Sequence, residues 1–565
     1  MSDRDRFLKR WAALKLARST WDSHWQELAE YILPRRIKKT TSEQNRGTKR
    51  NEKIINDTAT RAARVSSAGM MAAMCSPARL WLRYATPDPD QMEAEGVRDW
   101  LHTAQRRTLY AFATSNFYDV IAPYFLDLVV FGTAPMILDE DDTDVIRGYL
   151  VPVGSYALQA GPHGQIDTLY REGRLTVAQV VERFGTAGCS NRVRDAYDRS
   201  KYDDPVDILH VIEPNRERDD RAMDYRGMPW KSCWLEQANE NQNAMLHTAG
   251  YREFPVCATR WSISGDDVYG SSPGMDCLGD VKALQKLESK KLKIVDKLAD
   301  PPMNGDPLLE QNGGGSLLPG AMNYAGKDGF VPAYTPPPAG LTATSDEIGK
   351  HAERIMDTFN ARLWLMNALR EGGQPPTAEQ IRAEQQEMKL QLGPNAQRVN
   401  REGLQPAARR TLAILMRRSL PYWRGALSGV PDLPPPPPEL QGVEPQVDIL
   451  DMFAQAQRAQ DLIGAQDVVA TAVRLAAETQ RMDLLDKVDF DEFIDQMADR
   501  LDVSPDVVLS DERVAAIRAA RQRAAEAAQM AAAVPDMART AQALGNTPMD
   551  GDSALSRLLQ TAGVA

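Results

Sequence analysis

Cysteine is scarce in this 565-residue chain. Cys75, Cys189, Cys233, Cys257 and Cys277 are an odd number, widely scattered, with no C-x-x-C among them. That excludes a disulfide framework and a thiolate zinc cluster, and the thiols read as reduced and partly buried. Histidine is nearly as rare, six in all, with no H-E-x-x-H or other ligand spacing, so neither a metal nor a cofactor is expected. No uninterrupted apolar run approaches the roughly 18 residues of a transmembrane helix, so no membrane insertion is expected. The opening MSDRDRFLKRW lacks a secretory apolar core. The pattern G-x-x-x-x-G-K-[ST] is missing, so NGGGS at 312–316 is no phosphate loop and the chain is not itself a P-loop motor.

What is present is an ordinary folded composition, 43% hydrophobic and 26% charged, carrying a net charge of −11 that is unevenly spread. Residues 1–64 hold sixteen Lys/Arg against eight Asp/Glu. The acidic remainder argues against tight general DNA binding, which needs clustered cations, but not against a surface that lets DNA pass.

Phe7, Trp11, Leu14, Arg18, Trp21, Trp25, Leu28 and Ile32 alternate by four and three, one stripe on a helix that Pro34 ends. Each large side chain gains roughly 1.5–3 kcal/mol on burial, so the stripe needs a protein surface to dock on. RRIKKTTSEQNRGTKRNEK, 35–53, is a basic loop with eight Lys/Arg and two Glu. Residues 57–76 read as a helix rich in Ala, Ser and Gly that another helix can approach closely, and RLWLRY reads as a strand. An aromatic helix is expected over 104–131. Short strands follow from 145 to 263, with GPHG joining two of them as a hairpin. The whole of 1–265 reads as α+β.

Beyond 272 the pattern turns helical, so the chain as a whole is mainly α. A long helix closes at Pro301–Pro302. Its apolar side carries Leu278, Val281, Leu284, Leu287, Val295 and Leu298, and another side carries Lys282, Lys286, Lys290, Lys293 and Lys297. Residues 303–342 are Gly/Pro-rich and read as a protruding segment. A second helix opens at Thr344 and Glu347 in capping-box spacing, and a third at Thr377 and Gln380 after the break REGGQPP. PPPPP at 434–438 marks a linker, followed by acidic helices over 445–503 and an Ala-rich helix over 511–533.

Catalytic signals are thin, and no catalytic residue is expected. GSSPG at 270–274 matches the G-x-S-x-G nucleophile pattern, but Pro273 removes the N–H such sites use, and His351 is the sole downstream histidine. Ser272 as a helix cap with Pro273 in the first turn explains the same letters. DKVDFDEFIDQMADR looks like a calcium loop yet lacks the glycine at its sixth position.

Six stretches, in order along the chain, resemble the portal, or head-to-tail connector, proteins of short-tailed bacteriophages. They are HWQELAEYILPRR, INDTATRAARVSSAGMMAAMCSPARLWLRY, SNFYDVIAPYFLDLVVFGTAPMILDED, YGSSPGMDCLGDVKALQKLE, TAEQIRAEQQEMKLQLGPNAQRVNREGLQPAARRTLAIL and VLSDERVAAIRAARQRAAEAAQ. The resemblance implies a portal-protein fold: a dodecameric ring at one capsid vertex, assembled in the host cytoplasm and carried in the virion. A terminase motor drives double-stranded DNA through such a ring, which also meets tail adaptors and the major capsid and scaffolding proteins. It implies a wing over 1–265, stem helices over 266–300 and 343–369, and a clip over 301–342. A tunnel loop over 370–376, a long wing helix over 377–433 and a Pro-rich linker over 434–444 follow, then a helical crown over 445–533 and a flexible tail over 534–565.

On that reading Lys282, Lys286, Lys290, Lys293 and Lys297, with Arg370 and Gln374, are the candidates to face DNA in the channel. Trp11, Trp21 and Trp25 pack the first helix on its own or a neighbouring wing. Arg35, Arg36, Lys38, Lys39, Arg46, Lys49 and Arg50 form a loop that meets DNA, scaffold or capsid protein. The rival readings are a non-portal helical assembly scaffold and a serine hydrolase built on Ser272.

Overall fold

The computed structural model describes residues 2–37, 49–88, 91, 94, 96–241, 243–305, 307, 316, 322, 330–365, 391–419, 432–440, 442–500 and 513–528. Two units emerge, one comprising Met1–Ala85, Thr103–Pro435 and Pro445–Ile463, the other Thr86–His102, Pro436–Glu444 and Gly464–Ala565. Helix predominates, and the strands gather into several small sheets.

In the first unit, α1 (Asp3–Tyr31) starts at Ser2, whose hydroxyl accepts from Asp5 N, and ends three residues before Pro34. Phe7, Trp11, Trp25, Leu28 and Ile32 of the expected stripe are buried. Arg18 is buried with them because it pairs with Asp22 and donates to the Gly154 carbonyl. The helix α2 (Thr58–Met74) buries Ala59, Ala62, Ala63, Ser66 and Ser67. Its small residues admit a close neighbour as expected: a Cβ on Gly69 would meet the Trp364 ring at 2.2 Å. The aromatic stretch is two helices, α3 (Val97–Thr114) and α4 (Phe117–Phe131), because the chain turns at Ser115–Asn116. Gly132, at φ +77, closes α4 with its N–H on Leu128 O.

A three-stranded sheet has β2 (Thr133–Asp141) between β3 (Val145–Leu150) and β9 (Val256–Arg260). A five-stranded antiparallel meander runs β4 (Tyr156–Ala160), β5 (Ile166–Thr176), β6 (Pro205–Pro214), β7 (Trp230–Glu236) and β8 (His247–Tyr251). The expected GPHG hairpin joins β4 to β5, closed by Gly161 N on Gln165 O. Strand alternation gives this sheet two apolar faces. Ala157, Tyr170, Leu209, Val211, Cys233 and Leu235 meet Phe7 and Trp11 of α1. Val206, Ile208 and Trp234 meet Val177, Val180 and Val193 on the far side. Those three valines lie on α5 (Val177–Phe184) and α6 (Asn191–Asp198), two short helices inside a stretch where short strands are expected to predominate. Thr176 with Gln179 forms a capping box at α5, and Ser190 caps α6.

The helical half begins at Ser272. A one-turn helix, Pro273–Asp276, leads into α7 (Leu278–Ala299), which stops just before Pro301–Pro302. A short hairpin pairs β10 (Met303–Gly305) with β11 (Phe330–Pro332). The next helix, α8 (Pro338–Thr358), opens six residues earlier than expected, so residues 338–342 of the expected clip are helical. Pro338 takes the first turn, where a missing N–H costs nothing. The capping box at Thr344 is therefore not formed: Thr344 sits inside the helix and donates to Gly340 O. A short α9 (Ala361–Leu365) follows.

The Thr377–Gln380 cap lies outside the described residues. From 391 the chain is helical, passes through a π-helical turn at Asn400–Leu404 and continues as α10 (Gln405–Arg418). The segment expected to begin the all-helical crown opens as a strand. β12 (Gln446–Ile449) pairs antiparallel with β1 (Leu82–Ala85), the strand read from RLWLRY. Alternation explains the difference, since Val447 and Ile449 are buried while Gln446 is exposed.

The second unit contains most of α11 (Met452–Thr479), a 3-10 turn at Met482–Lys487, α12 (Phe490–Arg500) and a helix over 513–528. The calcium-like stretch is this turn and helix. Asp489 caps it by accepting from Asp491 N and Glu492 N, and Arg518 pairs with Asp491 through both carboxylate oxygens. Among the described residues no His/Cys/Asp/Glu group is arranged to hold a metal.

Candidate functional site

The lysine row depends on how α7 is mounted. Val281, Leu284 and Gln285 are buried, and Gln285 is the hinge pin. Its Oε1 accepts from Ile55 N and Asn56 N, at 2.7 and 2.9 Å, while its Nε2 donates to Asn56 O. Asn56 Nδ2 also donates to Glu288. Across the helix pair, Asp280 of α7 meets His351 Nδ1 at 2.8 Å and Arg354 at 3.5 Å, both on α8.

Helical geometry puts Lys282, Lys286, Lys290, Lys293 and Lys297 within one narrow arc opposite that buried side. Lys282 is engaged, pairing with Glu27 of α1 beside the Tyr31 ring. Lys297 lies over Tyr334 at 5.6 Å. Lys286, Lys290 and Lys293 are exposed and make no ion pair among the described residues. Leu292, Val295 and Leu298 continue the apolar side of the helix but stand bare, 52%, 42% and 37% exposed. Arg370 and Gln374 lie outside the described residues.

The three tryptophans pack on their own chain. Trp11 is in the core beneath the five-stranded sheet. Trp25 stands edge-on to Tyr269 at 5.2 Å, contacts Tyr156 at 5.9 Å and donates through Nε1 to Phe131 O. Trp21, partly buried, also meets Tyr269. Of the basic segment, Arg35 and Lys49 are exposed and Arg50 is partly covered; Lys38, Lys39 and Arg46 lie outside the described residues. Arg36 is not a free contact. It grips buried Asp127 through Nε and Nη2 at 2.7 and 2.5 Å and donates to Pro123 O. Burial pushes the Asp127 carboxyl up to about 6 despite the opposing pull of that guanidinium.

Ser272 is a structural cap. Its Oγ, buried, donates to Val130 O at 2.7 Å and accepts from Met275 N. Both bonds are to backbone, and no side-chain base bonds to this Oγ among the described residues. All five cysteines are free and buried. Burial raises their thiols, Cys233 to about 11 and Cys257 and Cys277 to about 12, which keeps them protonated and unreactive.

Sequence reasoning missed two fixtures. Buried Arg260 binds both oxygens of Glu402 on the π-turn. That turn lays Gly403 against Tyr124 and Thr259, where a Cβ would stand 2.7 Å from each oxygen. Gly403 and Pro406 mark the turn in the sequence, but Gly393 and Pro394 in the same helical run give the same signal without a π-turn. The second fixture, the Arg36–Asp127 pair, spans 91 residues and left no local trace.

A family model described as bacteriophage head to tail connecting protein matches residues 4–509. The portal protein of Salmonella phage epsilon15 is 36% identical over 567 residues, covering 100% of this chain and 99% of that one. A probable portal protein of Bordetella phage BPP-1 is 36% identical over 560 residues, with 98% of each chain covered. Among solved structures, a chain from the neck of an empty GTA particle, computed with C6 symmetry, aligns with 72% of this chain and 84% of that one. Its identity is 11% and its TM-score 0.32, too low for the likeness to carry weight.

Proposed function

This chain belongs to the family of bacteriophage head to tail connecting proteins, and from that premise we propose that copies of it close into a dodecameric ring at one capsid vertex. The ring is the channel for double-stranded DNA on packaging and ejection and the docking site for the packaging motor and tail adaptors. The full-length identity to two phage portal proteins carries this reading. The ring is built in the host cytoplasm, in contact with capsid and scaffolding proteins, and carried in the virion.

In this proposal the α7–α8 pair is the stem, the β10–β11 hairpin belongs to the clip, and the tunnel loop is 370–376. Residues 1–265 and the helix after 377 make the wing, with the strand 446–449 tied to it. The helices of the second unit make the crown. Bare Leu292, Val295 and Leu298 supply the side of the stem that meets a neighbouring subunit, which turns the opposite lysine arc towards the lumen. Weak, repeated contact with a few lysines per subunit suits a polymer that must slide, because tight phosphate neutralisation would hold it. Arg35 and Lys49, both exposed, are the residues of this loop that meet DNA, scaffold or capsid, whereas Arg36 anchors it.

Negative-stain electron microscopy of the purified protein is the direct test. Annular particles of one size with a central hole are expected; filaments or irregular small oligomers would overturn the ring.

A further inference from the structure

The far face of the five-stranded sheet carries a cluster that channel and ring leave unexplained. Arg171, His210, Trp234 and His247 stand in one cross-strand row over β5, β6, β7 and β8. The His210 and Trp234 rings stack at 3.8 Å, 10° from parallel. Two guanidiniums converge on that indole: Arg171 from the sheet at 5.2 Å and Arg183 from α5 at 4.6 Å. Phe184 and His247 close the rim.

Neither arginine has an acidic partner within ion-pair distance among the described residues. Asp139, whose field reaches Arg171, accepts instead from the Tyr251 hydroxyl. Arg171 Nε donates to His210 Nδ1 at 3.0 Å. A guanidinium has no acceptor atom, so this imidazole is neutral and its Nε2–H points to Ser232 Oγ, 3.0 Å away. Burial and the two arginines keep His210 from charging. The fold thus fixes two like charges side by side, directs them with aromatic planes, and leaves both without an ion pair among the described residues.

We propose that Arg171 and Arg183, seated on Trp234, receive a side-chain carboxylate from an acidic segment of a partner protein. A planar carboxylate suits the forked donors of arginine, and the indole restricts how those forks turn. The surroundings favour protein over nucleic acid. Glu182 is adjacent to Arg183, and exposed Asp203 and Asp204 border the start of α5, where Val177 N donates to Asp204 O. A duplex needs a continuous cationic track and would meet these acids instead. One carboxylate on a flexible segment reaches the arginines and avoids them.

The test is fluorescence anisotropy of a labelled oligo-glutamate peptide titrated with the full-length protein, its Arg183→Glu and Arg183→Lys variants, and a short DNA duplex as competitor. Arg183 is exposed and donates no hydrogen bond among the described residues, so the thermal transition of the variants should match the wild type. Binding is expected to weaken roughly tenfold or more in Arg183→Glu, the scale of one lost hydrogen bond to a charged group, and to be partly kept in Arg183→Lys. No binding, equal binding by Arg183→Glu, or displacement of the peptide by the duplex at lower concentration would each overturn the proposal.

Discussion

Replacing Trp25 by alanine separates a strap that supports its own subunit from one that bridges two. The side chain is fully buried. It touches Tyr269, Tyr156 and Trp21 with ring centroids at 5.2, 5.9 and 6.3 Å, and its indole N–H satisfies the Phe131 carbonyl at 3.0 Å. Removing a large aromatic from such a site costs about 3–5 kcal/mol. The orphaned carbonyl at the end of α4 argues for the upper part of that range. Trp25→Phe keeps most of the packing and loses the hydrogen bond, so about 1–2 kcal/mol is expected. Urea unfolding of the unassembled subunit gives the midpoints, and limited proteolysis within α1 reports whether the helix has lifted. Because every contact of Trp25 is within the chain, subunit stability should fall before and regardless of assembly. An unchanged midpoint together with lost rings would refute this, placing the tryptophan between subunits.

Three further outcomes follow from the same structure. Asp127 holds its proton more tightly folded than unfolded, its pKa moving from 3.8 to about 6. Its contribution is therefore complete below about pH 4 and lost as pH rises through 6. The span is about 3 kcal/mol, and urea midpoints of Asp127→Asn should lack this slope between pH 4 and 6. Leu292→Asp with Val295→Asp should leave the circular dichroism of the subunit unchanged, since both residues are exposed, while abolishing rings in micrographs. Changing Lys286, Lys290, Lys293 and Lys297 together to glutamine should spare rings but alter the DNA packaged or retained; unaltered packaging would remove the lysine arc from the channel.

Much of the fold could be read in the chain because it is written at short range. The stripe of α1, the alternation of β5 to β7, and Ser272–Pro273 before α7 each occupy a few residues whose spacing or capping chemistry is decisive. The errors arose where the local signal was double. Thr344 and Glu347 have the spacing of a capping box, yet Pro338 supplies an equally good first turn and the longer helix prevails. VAQVVERF begins at a capping box, yet it lies among short strands whose pattern dominates the stretch, and α5 went unread. The candidate site was legible only as a periodicity. Five lysines in register are visible in the sequence, whereas the capture of Lys282 by Glu27, some 255 residues away, is a tertiary event. The Arg171–Trp234–Arg183 cluster is invisible for the same reason, being assembled from two strands and a helix.

The β1–β12 ladder bears on how such a chain is made. Leu82–Ala85 finds its strand partner, among the described residues, only in Gln446–Ile449. About 360 residues must be synthesised in between, which at roughly 5–20 residues per second is on the order of twenty seconds to over a minute on the ribosome. Throughout that time β1 is an open edge beside buried Trp81 and Tyr84. This ladder therefore closes only once residue 449 has been made, and a chain cut short of it leaves β1 without its partner strand.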